Sequence, residues 1–264
     1  MNFFSIRKDI YTHNFSQHGS LINIRSPYTY IKSLYYIETA SLFLFLTQNI
    51  IKSPNFITLL YVITGVSGAF LLNNSQDNFF YLGLFMIFTK GTFDWADGPL
   101  ARRLDKTSFI GHALDSYGAH LSDAAFRVAF LYFTIGYFSD LKYLLPILSF
   151  IILVTNFRLF SDFQYLKLNK KNAKKNSRDE KAVQNFNTKE KKINNFKKWY
   201  VKYIAFLDGR SRNIDSMLLL LLIHKKFDYD LSIFLLILSV LIILRCVLMH
   251  IVSVYSSFRV YRGK

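Results

Sequence analysis

Between Phe93 and Asp123 the chain reads FDWADGPLARRLDKTSFIGHALDSYGAHLSD, with Asp94, Asp97, Asp115 and Asp123 set close to hydrophobic segments. Carboxylates at bilayer depth are costly unless they are paired, solvated or bound to a cation, so such a cluster needs a chemical reason. On a helix Asp94 and Asp97 are three residues apart and share a face. Two carboxylates that close repel each other unless a cation or a proton lies between them. Gly98 lets a backbone or a ligand approach closely, and Arg102 offers a forked donor suited to phosphate oxygens. Gly111 then opens the next helix, with Asp115 one turn inside it. Oxygen-only ligands select a hard cation such as Mg²⁺ or Mn²⁺, which often bridges to substrate phosphates. The chemistry these residues point to is phosphoryl transfer on a lipid-linked diphosphate at a membrane face.

The elements that must position these residues are apolar. The chain of 264 residues is 52% hydrophobic and 17% aromatic, with a mean hydropathy of +0.20. Its apolar residues are gathered into long runs, the profile of an all-α polytopic integral membrane protein. The single cysteine, Cys246, excludes an intramolecular disulfide and a thiolate metal cluster. The opening MNFFSIRKDIYTHNFSQHGS lacks the apolar core of a signal peptide.

Residues 1–53 are expected to form an N-terminal cytoplasmic segment, with an interfacial amphipathic helix over Ile31 to Ile51. Lys32, Glu38, Gln48 and Asn49 favour the interface there over a first span. Residues 54–264 are expected to hold six transmembrane helices. The first runs from about Phe56 to Leu72, and the second from about Phe79 into the aspartate-rich segment. The third covers about Gly111 to Phe138, the fourth Tyr143 to Phe163, the fifth Ile214 to Ile223 with room for extension by upstream residues, and the sixth Leu231 to Val254. The stretch 167–202 carries thirteen Lys and Arg against three acidic residues. By the positive-inside rule it is a cytoplasmic loop, which places both termini and the aspartate cluster on the cytoplasmic side. Lys225 and Lys226 count mildly against that orientation. The basic loop suits anionic membrane lipid. Its aromatics Phe186, Phe196, Trp199 and Tyr200 lack the pattern of a stacking platform, so no nucleic acid is expected.

The run DWADGPLARRLDKTSFIGHALD resembles the signature of the CDP-alcohol phosphotransferases, D-x2-D-G-x2-A-R-x8-G-x3-D-x3-D. The match takes in Asp94, Asp97, Gly98, Ala101, Arg102, Gly111 and Asp115. SPNFIT, Ser53 to Thr58, also looks like that family's entry to its first span. The resemblance implies cleavage of a CDP-linked lipid, usually CDP-diacylglycerol, with release of CMP and transfer of the remaining phosphate to an acceptor hydroxyl. It implies that Asp94, Asp97 and Asp115 hold one or two divalent ions, Mg²⁺ or Mn²⁺. Gly98, Ala101, Arg102 and Gly111 would shape the CDP pocket. Members of the family are often homodimers, and the sequence itself specifies no interface.

One position departs from the signature. The fourth aspartate, to which that family's general-base role is assigned, falls at Ala119, which can neither take a proton nor bind a cation. His120 and Asp123 are the nearby substitutes, so the catalytic candidates are Asp115, Asp123 and His120. On a helix Asp123 lies about 40° round from Ala119 and about 6 Å further along. His120 is turned by about 100° and is a natural base near neutral pH. An acceptor that supplies its own base, or a relative that binds CDP-lipid without turnover, would also accommodate the alanine. A transporter is the rival from another class, but an ion path has no need of Arg102 and the glycines at these spacings. The plain structural alternative pairs the aspartates with Arg102, Arg103 and Lys106, and Asp123 with Arg127. Arg158, Arg210 and Arg212 are candidates for an acceptor phosphate or an anionic head group, and positive-inside anchoring explains them equally well.

Overall fold

The computed structural model describes residues 2–17, 27–74, 76–156, 210–227 and 230–261. Among these residues every regular element is helical: α1 (Phe3–Gln17), α2 (Pro27–Thr47), α3 (Pro54–Leu71), α4 (Asp77–Thr89), α5 (Gly91–Arg103), α6 (Phe109–Ile135), a 3₁₀ segment (Ser139–Leu144), α7 (Leu145–Asn156), α8 (Arg210–Lys226) and α9 (Ser232–Tyr261).

The central pair is α3 and α6, which pack along each other, and α4 and α5 lie against α3. One core joins Ala69 and Leu72 of α3, Phe80 and Ile87 of α4, Phe126 and Phe130 of α6, Leu221 of α8 and Leu235 of α9. A second core fastens α1 and α2 to the signature helix, through Ile6, Ile10, Ile37, Ala40, Leu44, Ile57, Ala96 and Leu100. A third joins Leu131 and Ile135 of α6 to Ile152 of α7.

The outer faces of these helices are apolar too. Phe56, Leu59, Ile63 and Phe70 on α3, Phe85 on α4, Ile147 and Phe150 on α7, and Ile233, Ile237 and Leu241 on α9 are all exposed. An apolar surface this extensive is stable against lipid rather than water. Two described stretches, Pro54–Leu71 and Ser232–Ile251, are long and apolar enough to cross a bilayer. Side-chain contacts sort the connections into two ends. Lys225 pairs with Asp77 at 2.9 Å, and His224 packs edge-on against Tyr137, so the turns near 77, 137 and 225 share one end. At the other end Lys106 reaches the carbonyl of Lys52 at 3.2 Å, and Arg103 pairs with Asp9 at 3.2 Å.

Several boundaries differ from expectation. Helix α2 begins at Pro27 and ends at Thr47, earlier than the expected Ile31 to Ile51. A proline suits the first helical turn, and a turn at residues 48–50 precedes Pro54. The second expected span is divided into α4 and α5 at the single residue Lys90, whose own backbone is right-handed helical at φ −50° and ψ −34°. Helix α8 is longer than the run Ile214 to Ile223, extending from Arg210 to Lys226. Helix α7 ends at Asn156 among the described residues; the remainder of the fourth expected span, Arg158, Asp208 and the basic stretch 167–202 lie outside them. Helix α1 was not expected at all, although Phe3, Ile6 and Ile10 stand at helical spacing. Burying Ile6 and Ile10 fully contributes about 1.5–3 kcal/mol each.

Candidate functional site

The signature folds as a helix, a tight reversal and a second helix. In α5, Asp94 lies in the first turn and Arg102 with Arg103 in the last, each sign at the end of the helix dipole that stabilises it. The helix stops because Lys106 N–H donates to the carbonyl of Ala101 at 2.9 Å and Asp105 N–H to that of Arg102 at 3.4 Å. This paired closure needs a left-handed residue, and Asp105 takes it at φ 52°. Ser108 then caps α6, its hydroxyl accepting from Gly111 N–H at 3.0 Å. The reversal sets Asp94 and Asp97 of α5 beside Asp115 of α6, with the carboxyls of Asp94 and Asp115 in hydrogen-bonding reach. Thr58 of α3 donates to Asp97 Oδ2 at 2.7 Å.

Two cavities meet at these carboxylates. The smaller, of about 230 Å³, is lined by Thr58, Asp97, Gly98, Ala101, Arg102, Lys106, Gly111, His112 and Asp115, among others. It gathers the four residues expected to shape the CDP pocket. A Cβ at Gly98 would lie 3.3 Å from an Arg102 Nη, so glycine leaves the guanidinium room beside Asp97. The larger cavity, of about 430 Å³, is polar and is lined by Lys32, Tyr36, Lys90, Asp94, His112, Asp115, Ser116, Ala119 and Asp123, among others. Among the described residues only His112 and Asp115 line both. A third cavity, of about 620 Å³ and mostly apolar, lies between α4 and α8 and adjoins the polar one at Tyr28.

The structure places the remaining candidates unequally. Asp123 is 2% exposed and lines the polar cavity next to Ala119, with Lys90 Nζ 3.8 Å away. His120 is buried and lies outside the lining of both polar cavities. Arg127 reaches Cys246 at 3.0 Å. Arg103 and Lys106, offered above as simple partners for the aspartates, instead reach Asp9 and the carbonyl of Lys52. Arg210 and Arg212 fall in the first turn of α8. Asp215, one turn on, pairs with Lys32 and accepts from Tyr28.

Sequence reasoning missed Lys90 as a site residue and named Thr58 only as the last residue of SPNFIT, while His112 reads in the sequence as a helix-packing or interface residue more readily than as a catalyst. A signal existed for Lys90, a lone lysine in an apolar run four residues before Asp94. An ionisable group inside a span asks for a functional reading. The place of His112 comes from the two cavities it lines, and that of Thr58 from its hydrogen bond to Asp97.

The donor set suits a hard divalent cation in type. Three carboxylates from two helices adjoin with oxygen ligands only, Asp94 is exposed, and like charges this close call for a cation. The set is open rather than a finished cage, since among the described residues no group of three or more His, Cys, Asp or Glu side chains is arranged to hold an ion by itself. Magnesium-type sites are commonly of this open kind, completed by water and substrate phosphate.

A sequence model described as CDP-alcohol phosphatidyltransferase matches residues 51–186, from just before α3 to beyond α7. Members of that family are membrane-associated transferases of lipid synthesis and generally depend on a divalent metal. No curated protein and no solved structure matches the chain. With the matched segment covering half of the chain and holding both signature helices, this protein belongs to the CDP-alcohol phosphatidyltransferase family.

Proposed function

We propose that this protein transfers a phosphoalcohol group, phosphatidyl in the simplest case, from a CDP-linked lipid to an acceptor hydroxyl and releases CMP. The observation that carries the reading is the meeting of the two polar cavities at Asp115 and His112, with Asp94 and Asp97 alongside. A nucleotide in the smaller cavity and an acceptor in the larger would place the scissile diphosphate between them. Asp94, Asp97 and Asp115 are the residues to hold Mg²⁺ or Mn²⁺, which when bound neutralises charge on the diphosphate and on the departing CMP.

Every other part is played by the chain. Arg102 binds diphosphate oxygens beside Gly98, and Lys106 adds charge at the same cavity. Thr58 fixes one oxygen of Asp97 and so its orientation. Asp123 takes the proton of the acceptor hydroxyl, a role that its place in the polar cavity supports over His120. The acceptor oxygen attacks phosphorus in line as the bond to CMP breaks. The apolar cavity between α4 and α8 suits an acyl chain.

The orientation that places Lys106, Arg103 and the long basic stretch in the cytoplasm puts this centre at the cytoplasmic face. Ala119 favours a second reading, a relative that binds CDP-lipid without turning it over. Purified protein given CDP-diacylglycerol, Mn²⁺ and a panel of hydroxyl acceptors separates the two. Acceptor-dependent CMP supports the transferase; metal-dependent binding of CDP-lipid with no CMP from any acceptor supports the second reading.

A further inference from the structure

Lys90 sits where α4 passes into α5 and is only 7% exposed. Its ammonium donates to Ser122 Oγ at 2.5 Å, stands 3.8 Å from Asp123 Oδ1 and lies over the Tyr61 ring at 5.5 Å. The packing is specific to this contact. A Cβ at Gly65 would fall 1.9 Å from Ser122 Oγ and 3.2 Å from Lys90 Cδ, so glycine in α3 provides the space in which lysine and serine meet. Lys90, Asp123 and Ala119 line the same polar cavity, together with Asp94 and Asp115.

A buried lysine is expensive unless its charge is used, and here it is directed at a carboxylate beside the place where alanine interrupts the signature. We propose that Lys90 is a positioning residue for transfer: anchored on Ser122, it holds Asp123 turned toward the acceptor, so that Lys90, Ser122 and Asp123 together do the work of the carboxylate absent at 119. This rests on the transferase reading above. The acceptor O–H bond breaks and its proton passes to Asp123. The acceptor oxygen forms a bond to phosphorus, and the bond from phosphorus to the CMP oxygen breaks with its electron pair leaving on CMP. Lys90 exchanges no proton in the step; its ammonium, 3.8 Å from Asp123 Oδ1 and bonded to Ser122, fixes where that carboxyl points.

The test compares the parent with Lys90→Met, Ser122→Ala, Asp123→Asn and the Lys90→Met/Asp123→Asn double variant, each purified in detergent and assayed for CMP release. Lys90→Met is expected to lose about 100-fold in kcat, within the range of a lost general-base contribution, while the donor KM and Mn²⁺-dependent CDP binding stay within about 3-fold. Ser122→Ala is expected to lose about 10-fold in kcat, as an outer-shell partner would, and carries the test if Lys90→Met does not fold. The double variant is expected to fall no further than the worse single one, as residues acting as a unit do. Lys90→Met and Ser122→Ala both within 3-fold of the parent in kcat would overturn the proposal, as would losses that multiply in the double variant. A parent that releases no CMP with any acceptor would overturn the transferase reading itself, and this inference with it.

Discussion

Asp97 is held by Thr58 on one side and faces Arg102 across Gly98, so the charge and the direction of this carboxylate can be tested separately. Asp97→Asn keeps the shape, removes a charged ligand and is expected to lower CMP release by two to three orders of magnitude, about the scale of removing one essential electrostatic group. Thr58→Val keeps the charge and removes only the 2.7 Å hydrogen bond; about a 10- to 100-fold loss in activity or Mn²⁺ affinity is expected. Asp208, outside the signature and near Arg210 and Arg212 with which it can simply pair, is the control: Asp208→Asn is expected to leave kcat unchanged. Asp123→Asn is expected to cost more turnover than His120→Ala, because only Asp123 lines the polar cavity; the reverse order would move the proton acceptor to the histidine. That Asp94, Asp97 and Asp115 come together, and that Gly98, Ala101, Arg102 and Gly111 line one cavity, was legible in the sequence because their spacing is fixed along two helices joined by a short reversal. Lys90 and Thr58 were not, because each meets the site across a helix interface: Lys90 touches Ser122, 32 residues later, and Thr58 touches Asp97, 39 residues later.

At the scale of elements, the site depends on the reversal between α5 and α6. Asp105 holds the left-handed position of that reversal. Aspartate tolerates it better than most residues, and a β-branched side chain tolerates it poorly. Asp105→Gly is expected to keep or raise the thermal midpoint, while Asp105→Val lowers stability by about 1–2 kcal/mol; a more stable valine variant would contradict the closure described here. Helix α1 braces the signature helix from outside. Ile10 is fully buried in the core that α1 shares with α2 and the signature helix, and Arg103 reaches both Asp9 and the carbonyl of Ser5. Ile10→Ala is expected to cost about 2–5 kcal/mol if the site cannot collapse, read as a fall in the thermal midpoint. The helix was hidden from the sequence reading because Phe3, Ile6 and Ile10 are its only large aliphatic or aromatic residues at core spacing, set among Arg7, Lys8 and Asp9. Its partner surface, Ile37, Ala40 and Leu44, lies on α2. The long helices around the site were legible because apolar runs fix their type, while their ends moved where proline or a 3₁₀ turn intervened.

For the whole molecule, the two ends defined by Lys225 with Asp77 and by Lys106 with Lys52 should lie on opposite sides of the bilayer. Cysteines placed at Asn74 and at Lys106 are expected to react with a membrane-impermeant thiol reagent from opposite faces of oriented vesicles, with position 106 on the cytoplasmic face; labelling from one face would contradict the arrangement. The exposed apolar flanks of α3, α7 and α9 meet lipid in this arrangement, and the polar cavity opens among helices whose inner faces carry Lys32, Lys90, Asp94, Asp115 and Asp123. Among the described residues, charged side chains thus line a cavity between helices whose outer flanks are apolar, a distribution that suits a membrane-face reaction on a charged diphosphate. The most direct measurement is CMP release from CDP-diacylglycerol by the purified parent and its Asp97→Asn variant, with Mn²⁺ or Mg²⁺ and a panel of hydroxyl acceptors. The account predicts metal-dependent, acceptor-dependent CMP from the parent and a loss of two to three orders of magnitude in the variant. Equal CMP release by the two proteins, or release that ignores both metal and acceptor, would contradict it.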